Sequence, residues 1–444
     1  MTTFSDLGFL FRFLPVMLLV YYLFKGRARN AVLFLGSIFF YAWGNLYYGA
    51  AFLVLILLNY LLARAMRSKS RVVFLVLAVL LDVGVLAVCK LLEVHQSGFI
   101  LPLGISFLTF KMISFQADLY RGELKEVPDF LSVITYFSLF FQIPEGPIMR
   151  YSEGFSMERR PSLSALDQGL CLFAAGLSMK VLLADRLSLL WNEIFRIGYE
   201  SVSTPLMWLF VVITAFRLYF DFWGYSLMAS GIGVMLGFPF IRNFNNPYGA
   251  ASVTDFYRRW HITLGTWLRD YIYIPVGGSR RGTGRTIGNL ALVWLITAAW
   301  HGITPPFFLW GLILLLLILW EKFVLVRKKK LLAVFGRIHV LFLIPLTWLI
   351  FSAGSLSDVL TCFGRLFPFF GVGQTLDPSD WSFFLREGLL TLAVGAVLLI
   401  PRVVGFLKEH LGHIAVRIAL TVLFWISIYH VAISGSNPFL YIQF

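Results

Sequence analysis

An all-α, multi-pass integral membrane protein is the fold class this chain predicts, and three observations predict it. Of its 444 residues, 59% are hydrophobic and only 14% are charged, far from the balance of a soluble globular domain. Apolar stretches such as FLFRFLPVMLLVYYLF, AVLFLGSIFFYAW, AAFLVLILLNYLLA and RVVFLVLAVLLDVGVLAV recur from end to end, several close to the ~20 residues a helix needs to cross a bilayer. The formal charge of +14 is spread over short loops between these runs. That excludes the single basic face of a nucleic-acid-binding domain and reads instead as positive-inside topology.

Taken in order, the elements are helices. The first run follows Asp6 rather than a basic segment, lacks a small-residue cleavage pattern and precedes further spans, so it reads as a retained helix and not a signal peptide. Lys25, Arg27 and Arg29 follow the first span, and Arg64, Arg67, Lys69 and Arg71 follow the third; both loops are expected in the cytoplasm, with the N-terminus outside. RGELK (121–125), the block 242–285, VRKKK (326–330) and the stretch 402–417 are expected on the same side. AGSLSDVL through DPSDW is expected to face outward, and the last span, AVRIALTVLFWISIYHVA, leaves ISGSNPFLYIQF outside. The count is roughly eleven to twelve helical elements, some of them re-entrant. With no soluble segment and no internal repeat, residues 1–444 read as one membrane domain, and the missing repeat argues against an inverted-repeat transporter. Cys89, Cys171 and Cys362 are far apart and have no metal-ligand or disulfide spacing, so neither a zinc site nor a disulfide frame is expected.

The block RRWHITLGTWLRDYIYIPVGGSRRG (258–282) stands apart from the oily remainder. Ser252 followed by Asp255 has the form of a capping box, which starts a helix just after the turn-rich NFNNPYGA. On a helical wheel Phe256, Tyr257, Trp260, Leu264, Trp267, Leu268 and Tyr271 share one arc, while Arg258, Arg259, Arg269 and Asp270 lie opposite and Asp255 and Arg259 pair at i,i+4. The result is an amphipathic helix at the cytoplasmic interface, with His261 at the edge of the apolar arc, facing a cavity. YIPVGGSRRGTGR then supplies Pro275, a Gly277-Gly278 turn and Arg280, Arg281 and Arg285. These arginines read either as another positive-inside loop or as a phosphate-recognising rim for a donor such as coenzyme A, with Arg259 and Trp260 beside it.

Three features point to an enclosed polar site. His301, in LALVWLITAAWHGITPPFFLWGL, falls deep in a span just before a Gly-Ile-Thr-Pro-Pro break, where an ionisable group and freed backbone groups line a cavity. Arg217 and Asp221, four residues apart in an apolar run, are expected to pair on one helix face and support that cavity, with Asn246 of NFNNPYGA in the same structural role. Glu145, Pro147 and Arg150 break another hydrophobic stretch near its end.

These stretches resemble the membrane-bound O-acyltransferase family, in particular its bacterial branch that includes the alginate O-acetyltransferase membrane subunit. FYAWGN, LPLGISFLTFKMISFQADLYRG, EGPIMRY, YFDFWGYSLMASGIGVMLGF, NFNNPY, DFYRRWHITLGTWLRDYIYIPVGGSRRG, NLALVWLITAAWHG and NPFLYIQF occur in the family's order over nearly the whole chain. The resemblance implies acyl transfer, with the family's essential histidine on His301 and its second histidine on His261. Many relatives read GYSDMA where this chain has GYSLMA, so Leu227 removes a carboxylate, and EGPIMRYSE leaves the acceptor open.

The implied reaction moves an acyl group, acetyl or another such as D-alanyl, from a cytosolic thioester, acyl-CoA or an acylated carrier protein, to hydroxyls of an extracytoplasmic polysaccharide. It takes place in the bacterial cytoplasmic membrane, with a partner acyltransferase and a polymer synthase or export complex, and with no tightly bound cofactor or metal. His301 is the expected general base and His261 positions or polarises the donor. Tyr441 in GSNPFLYIQF is an expected acyl relay, alongside the simpler role of interfacial anchor. The same residues are compatible with an acyl-donor transporter lined by both histidines, or with a scaffold subunit of a polymer-export complex.

Overall fold

In the computed structural model, the structure describes residues 3–67, 70–96, 98–143, 146–155, 159, 161–326, 329–370 and 375–434. The protein is an all-α, multi-pass membrane protein: 78% of the described residues are helical, and no strand occurs among them. Seven described helical stretches are long and apolar enough to cross a membrane: Leu46–Ala65, Arg71–His95, Thr204–Met235, Pro305–Leu325, Val334–Phe351, Asp380–Leu398 and Ile414–Ser434. A shorter apolar helix covers Phe9–Leu23. Other apolar runs in the sequence are cut into shorter or more polar helices. LPLGISFLTFKMISFQADLYRG, for instance, yields Ile105–Arg121, closed at both ends by left-handed glycines, Gly104 and Gly122.

The chain forms two compact units. The first comprises Met1–Leu177, Tyr225–Arg242 and Arg417–Gln443. Within it a polar clasp joins three helices: Asn59 donates to Asp82 Oδ1 at 2.7 Å, and Gln116 donates to Asn59 Oδ1 at 3.0 Å and to its backbone carbonyl at 2.8 Å. All three are fully buried, which is how polar side chains in apolar helices hold neighbours in register. The EGPIMRY stretch passes nearby without regular structure over 146–150. It is tied down by Tyr136, whose hydroxyl donates to the Met149 carbonyl at 2.8 Å. Arg150 pairs with Glu153 at 3.4 Å, and Glu145 lies outside the described residues.

The second unit comprises Ser178–Gly224 and Asn243–Val416. Its apolar core gathers Leu187, Ile194, Leu206, Phe210, Leu346 and Leu349 among others. The expected Arg217–Asp221 pair is not made. Asp221 instead binds the Lys180 ammonium at 2.9 Å, and the same ammonium holds Asp185 at 2.6 Å. The cause is local: Met179–Asp185 is a π-helical turn, whose i,i+5 spacing brings Lys180 and Asp185 onto one face. Arg217 donates from Nε to Ser188 Oγ at 3.0 Å, and its guanidinium lies over the Trp191 ring at 4.1 Å. Buried Lys180, Arg217 and Asp221 thus form a formally neutral set with partly buried Asp185, and removing one of the buried members would leave an uncompensated charge at a cost of about 3–5 kcal/mol.

Candidate active site

The amphipathic segment is built as expected at its start and departs from expectation in its middle. Ser252 caps the helix Val253–Arg259 by accepting from the Asp255 amide at 3.0 Å, and Asp255 reaches back to the Ala251 amide at 3.1 Å. A buried carboxylate from elsewhere in the unit completes the anchor. Glu321 accepts from the amides of Val253 at 2.8 Å and Thr254 at 3.1 Å, with His339 Nδ1 on its other side at 3.2 Å. Each hydrogen bond to a charged acceptor of this kind contributes about 1.5–3 kcal/mol. Gly336 lets its helix come close, since a Cβ there would stand 2.0 Å from the Ala251 carbonyl oxygen.

The single helix expected from the wheel is two. His261 takes a left-handed conformation (φ 45°, ψ 55°) between Val253–Arg259 and Ile262–Leu268. A non-glycine residue held there costs on the order of 1–3 kcal/mol and persists only where its surroundings fix it. Here Asn243 does so. Its Oδ1 meets His261 Nδ1 at 3.1 Å and also accepts from the Thr263 amide at 3.2 Å and the Thr263 hydroxyl at 2.9 Å, while its backbone carbonyl accepts from the Ile262 amide at 2.9 Å. Because a backbone N–H can only donate, the Thr263 contact identifies the Asn243 atom as oxygen. His261 Nδ1 therefore carries the proton and Nε2 is the acceptor nitrogen. His261 is buried, and burial pushes its pKa down from 6.5 to about 3, so the ring is neutral.

His301 is the last residue of the helix Thr283–His301, and the chain turns through Gly302 to a new helix starting at Pro305, as the Gly-Ile-Thr-Pro-Pro break predicts. Its buried ring is enclosed by aromatics, with centroids 4.4 Å from Trp300, 4.9 Å from Phe351 and 5.3 Å from Trp310. Gly302 is required behind it, because a Cβ would stand 2.4 Å from the Phe307 ring. The helix C-terminus directs the negative end of its dipole at this residue, which favours positive charge arising on the ring.

One wall of rings connects the two histidines. Trp310 lies 6.1 Å from Trp348, which lies 4.8 Å from Trp260, the neighbour of His261; Phe222 packs against Trp260 at 6.3 Å and against His261 itself at 4.7 Å. Trp260 is therefore interior wall and not part of a rim. Arg259 is likewise engaged, pairing with Asp255 at 2.9 Å, as the i,i+4 spacing predicts. Arg280 and Arg281 are exposed, beyond the left-handed glycines Gly277 and Gly278. A Cβ on Gly277 would lie 3.6 Å from Arg281 Nε and 3.7 Å from Arg285 Nε, so two guanidiniums flank that glycine. Asn289 secures the turn by donating to the Gly278 carbonyl at 2.8 Å.

Among the described residues, the indole N–H of buried Trp310 and both side-chain polar atoms of Asn246 lack hydrogen-bond partners. Asn246 is also left-handed (φ 50°). Buried polar groups left unmatched cost about 1–3 kcal/mol each, so each of these calls for a partner beyond the described residues. Asn243, Glu321, Lys180 and Trp310 are absent from the sequence reading. Asn243 alone had a signal, as a polar residue opening the turn-rich stretch before the arm. Tyr441 lies outside the described residues. Among those residues no cluster of three His, Cys, Asp or Glu suits a metal ion, and the three cysteines are unbridged.

The family model for MBOAT, the membrane-bound O-acyltransferases, matches residues 45–357. The chain belongs to the membrane-bound O-acyltransferase family. This acyltransferase is 38% identical over 318 residues to the probable alginate O-acetylase AlgI of Pseudomonas fluorescens, covering 69% of the chain and 64% of that protein. It is 33% identical over 435 residues to the probable alginate O-acetylase AlgI of Pseudomonas aeruginosa, covering 91% and 81%. It is 32% identical over 359 residues to the peptidoglycan O-acetyltransferase of Helicobacter pylori, covering 69% and 67%. Both buried histidines of the acyltransferase fall inside the stretch the family model matches.

Proposed function

We propose that this acyltransferase moves an acetyl group from a cytosolic thioester, acetyl-CoA or an acylated carrier protein, toward hydroxyls of an extracytoplasmic polysaccharide. It would work in the bacterial cytoplasmic membrane beside a partner acyltransferase and a polymer synthase or export complex. The relatives named above favour acetyl as the group and a polysaccharide or cell-wall polymer as the acceptor. The observation that carries the mechanism is the pair of buried histidines on one aromatic wall.

His301 takes the proton of the acceptor hydroxyl as its oxygen attacks the thioester carbonyl carbon. The carbonyl oxygen gains negative charge, and the Trp310 indole N–H is the donor at hand to stabilise it. Collapse expels the thiolate, which leaves as the thiol with the proton held on His301, and the ester remains. His261 presents Nε2 as an acceptor and positions the donor; the tautomer set by Asn243 suits it to receive a hydrogen bond and leaves no Nε2 proton to polarise a carbonyl.

The test is transfer of labelled acetyl from acetyl-CoA to acceptor oligosaccharide by purified protein, expected in the wild type and lost in His301→Ala. Full transfer by that variant would remove His301 from the chemistry. Replacing Arg280 and Arg281 together with Gln is expected to raise KM for acetyl-CoA several-fold at low salt, with kcat nearly unchanged. An unchanged KM assigns both arginines to topology alone.

A further inference from the structure

The first two helices of the first unit leave a groove between them, remote in sequence from the histidines. It has a volume of about 930 Å3, within the roughly 300–1,000 Å3 typical of small-molecule sites. Its walls are apolar, with Val16, Val20, Leu35 and Phe39 among them, and its charged lining residues are Asp6 and Arg12, about 9 Å apart by helical rise. From Asp6 to Val20 a helical rise of about 1.5 Å per residue gives a length of roughly 20 Å. Half of a bilayer's hydrocarbon core is roughly 15 Å, so the groove is as long as one leaflet is deep.

The charged lining has a definite pattern. Arg12 is exposed, and its guanidinium has no hydrogen bond or ion pair among the described residues. An ionisable group in an apolar helix ordinarily finds a counter-charge, and Asp6, six residues earlier, does not pair with it. Asp6 caps the helix with one oxygen, Oδ1, which accepts from the amides of Gly8 at 2.7 Å and Phe9 at 3.3 Å; Oδ2 points to no partner among those residues. The lining of an oily groove therefore offers one anion-binding guanidinium and one cation-binding carboxylate oxygen.

We propose that this groove binds a glycerophospholipid whose headgroup combines a phosphodiester with a primary ammonium, an ethanolamine phospholipid. Arg12 takes the phosphate, Asp6 Oδ2 takes the ammonium, and an acyl chain lies along Val16, Val20, Leu35 and Phe39. A choline headgroup has no N–H to give the carboxylate, and a glycerol headgroup leaves Asp6 facing a net negative lipid.

The experiment uses delipidated full-length protein in mild detergent. It is titrated with dioleoyl phosphatidylethanolamine, phosphatidylcholine or phosphatidylglycerol, and retained lipid is counted by native mass spectrometry. One ethanolamine lipid is expected to bind about fivefold more tightly than either competitor, the upper worth of an exposed ion pair. Arg12→Gln is expected to weaken retention of all three, and Arg12→Lys to preserve it. Asp6→Asn keeps the helix cap and is expected to erase the preference for ethanolamine over glycerol. Equal retention of the three lipids by the wild type overturns the proposal. So does unchanged retention in Arg12→Gln, an unaltered preference in Asp6→Asn, or a second copy of the chain bound in place of lipid.

Discussion

His261 sits at a break between two short helices, strained at φ 45° and clamped by a polar residue, whereas His301 ends a 19-residue helix with the rings of Trp300, Trp310 and Phe351 packed against it. Both are buried imidazoles in one unit, yet their surroundings suit different work. A general base is most effective with a pKa near the operating pH. The ring at 261, pushed down to about 3, is a poor proton acceptor at neutrality but a well-aimed hydrogen-bond acceptor. The ring at 301 stands at a helix C-terminus, whose dipole favours positive charge, with the Trp310 ring 5.3 Å away. The lesson is that a buried histidine's role is set by what fixes its backbone and its second nitrogen.

The largest separation is expected from paired alanine variants. His301→Ala is predicted to lower kcat by about 10²–10⁴, the range of general-base contributions. His261→Ala is predicted to act mainly through KM for the thioester. Steady-state kinetics in donor concentration distinguish them, and a kcat loss of equal size in both would erase the division of labour. Next in size is Trp310→Phe, which keeps a ring against His301 and removes only the N–H. Loss of one oxyanion donor predicts a fall in kcat of about 10²–10³ with KM little changed. An active Trp310→Phe enzyme would leave the indole as packing.

How far these positions could be read from the sequence follows their physical character. Helix identity, the capping box at Ser252, the Gly277-Gly278 turn and the helix end at His301 are governed by local composition, and each appears in the structure. The break at His261 has no local signal, since no glycine or proline marks it. It exists because Asn243, 18 residues earlier, captures the imidazole and Thr263 together. Arg217 and Asp221 fail in the same way: their spacing permits a pair, but Lys180 on another segment outcompetes Arg217 for the carboxylate. Long-range partners decide which polar residues meet, and an apolar helix sequence does not encode them locally.

A smaller effect is expected from the clamp. Asn243→Leu leaves His261 Nδ1 and the Thr263 amide without their acceptor, a cost of about 1–3 kcal/mol each before relaxation. It also frees the tautomer. Asn243→Asp retains the acceptor oxygens and is predicted to restore most of the activity. Rescue by Asp with failure of Leu, read together with the KM for acetyl-CoA, indicates a positioning role. Equal loss in both variants indicates that Asn243 matters only as an amide.

The smallest effect separates the histidines by acid stability. An unfolded His261 has a pKa near 6.5, and the folded one about 3. Between those values the unfolded chain holds the extra proton, so this group's contribution to stability is full above pH 6.5 and declines as pH falls toward 3. One proton of difference gives a slope of at most about 1.4 kcal/mol per pH unit. The melting temperature of the purified protein in detergent is therefore predicted to drop on acidification from pH 7 to pH 5. His261→Asn is predicted to flatten that drop, because asparagine accepts a left-handed backbone and does not titrate. His301→Asn, at the ring-enclosed helix end, serves as the comparison. If only that second variant flattened the curve, the acid-sensitive ring would be His301, and the assignment of His261 as the permanently neutral acceptor would fall.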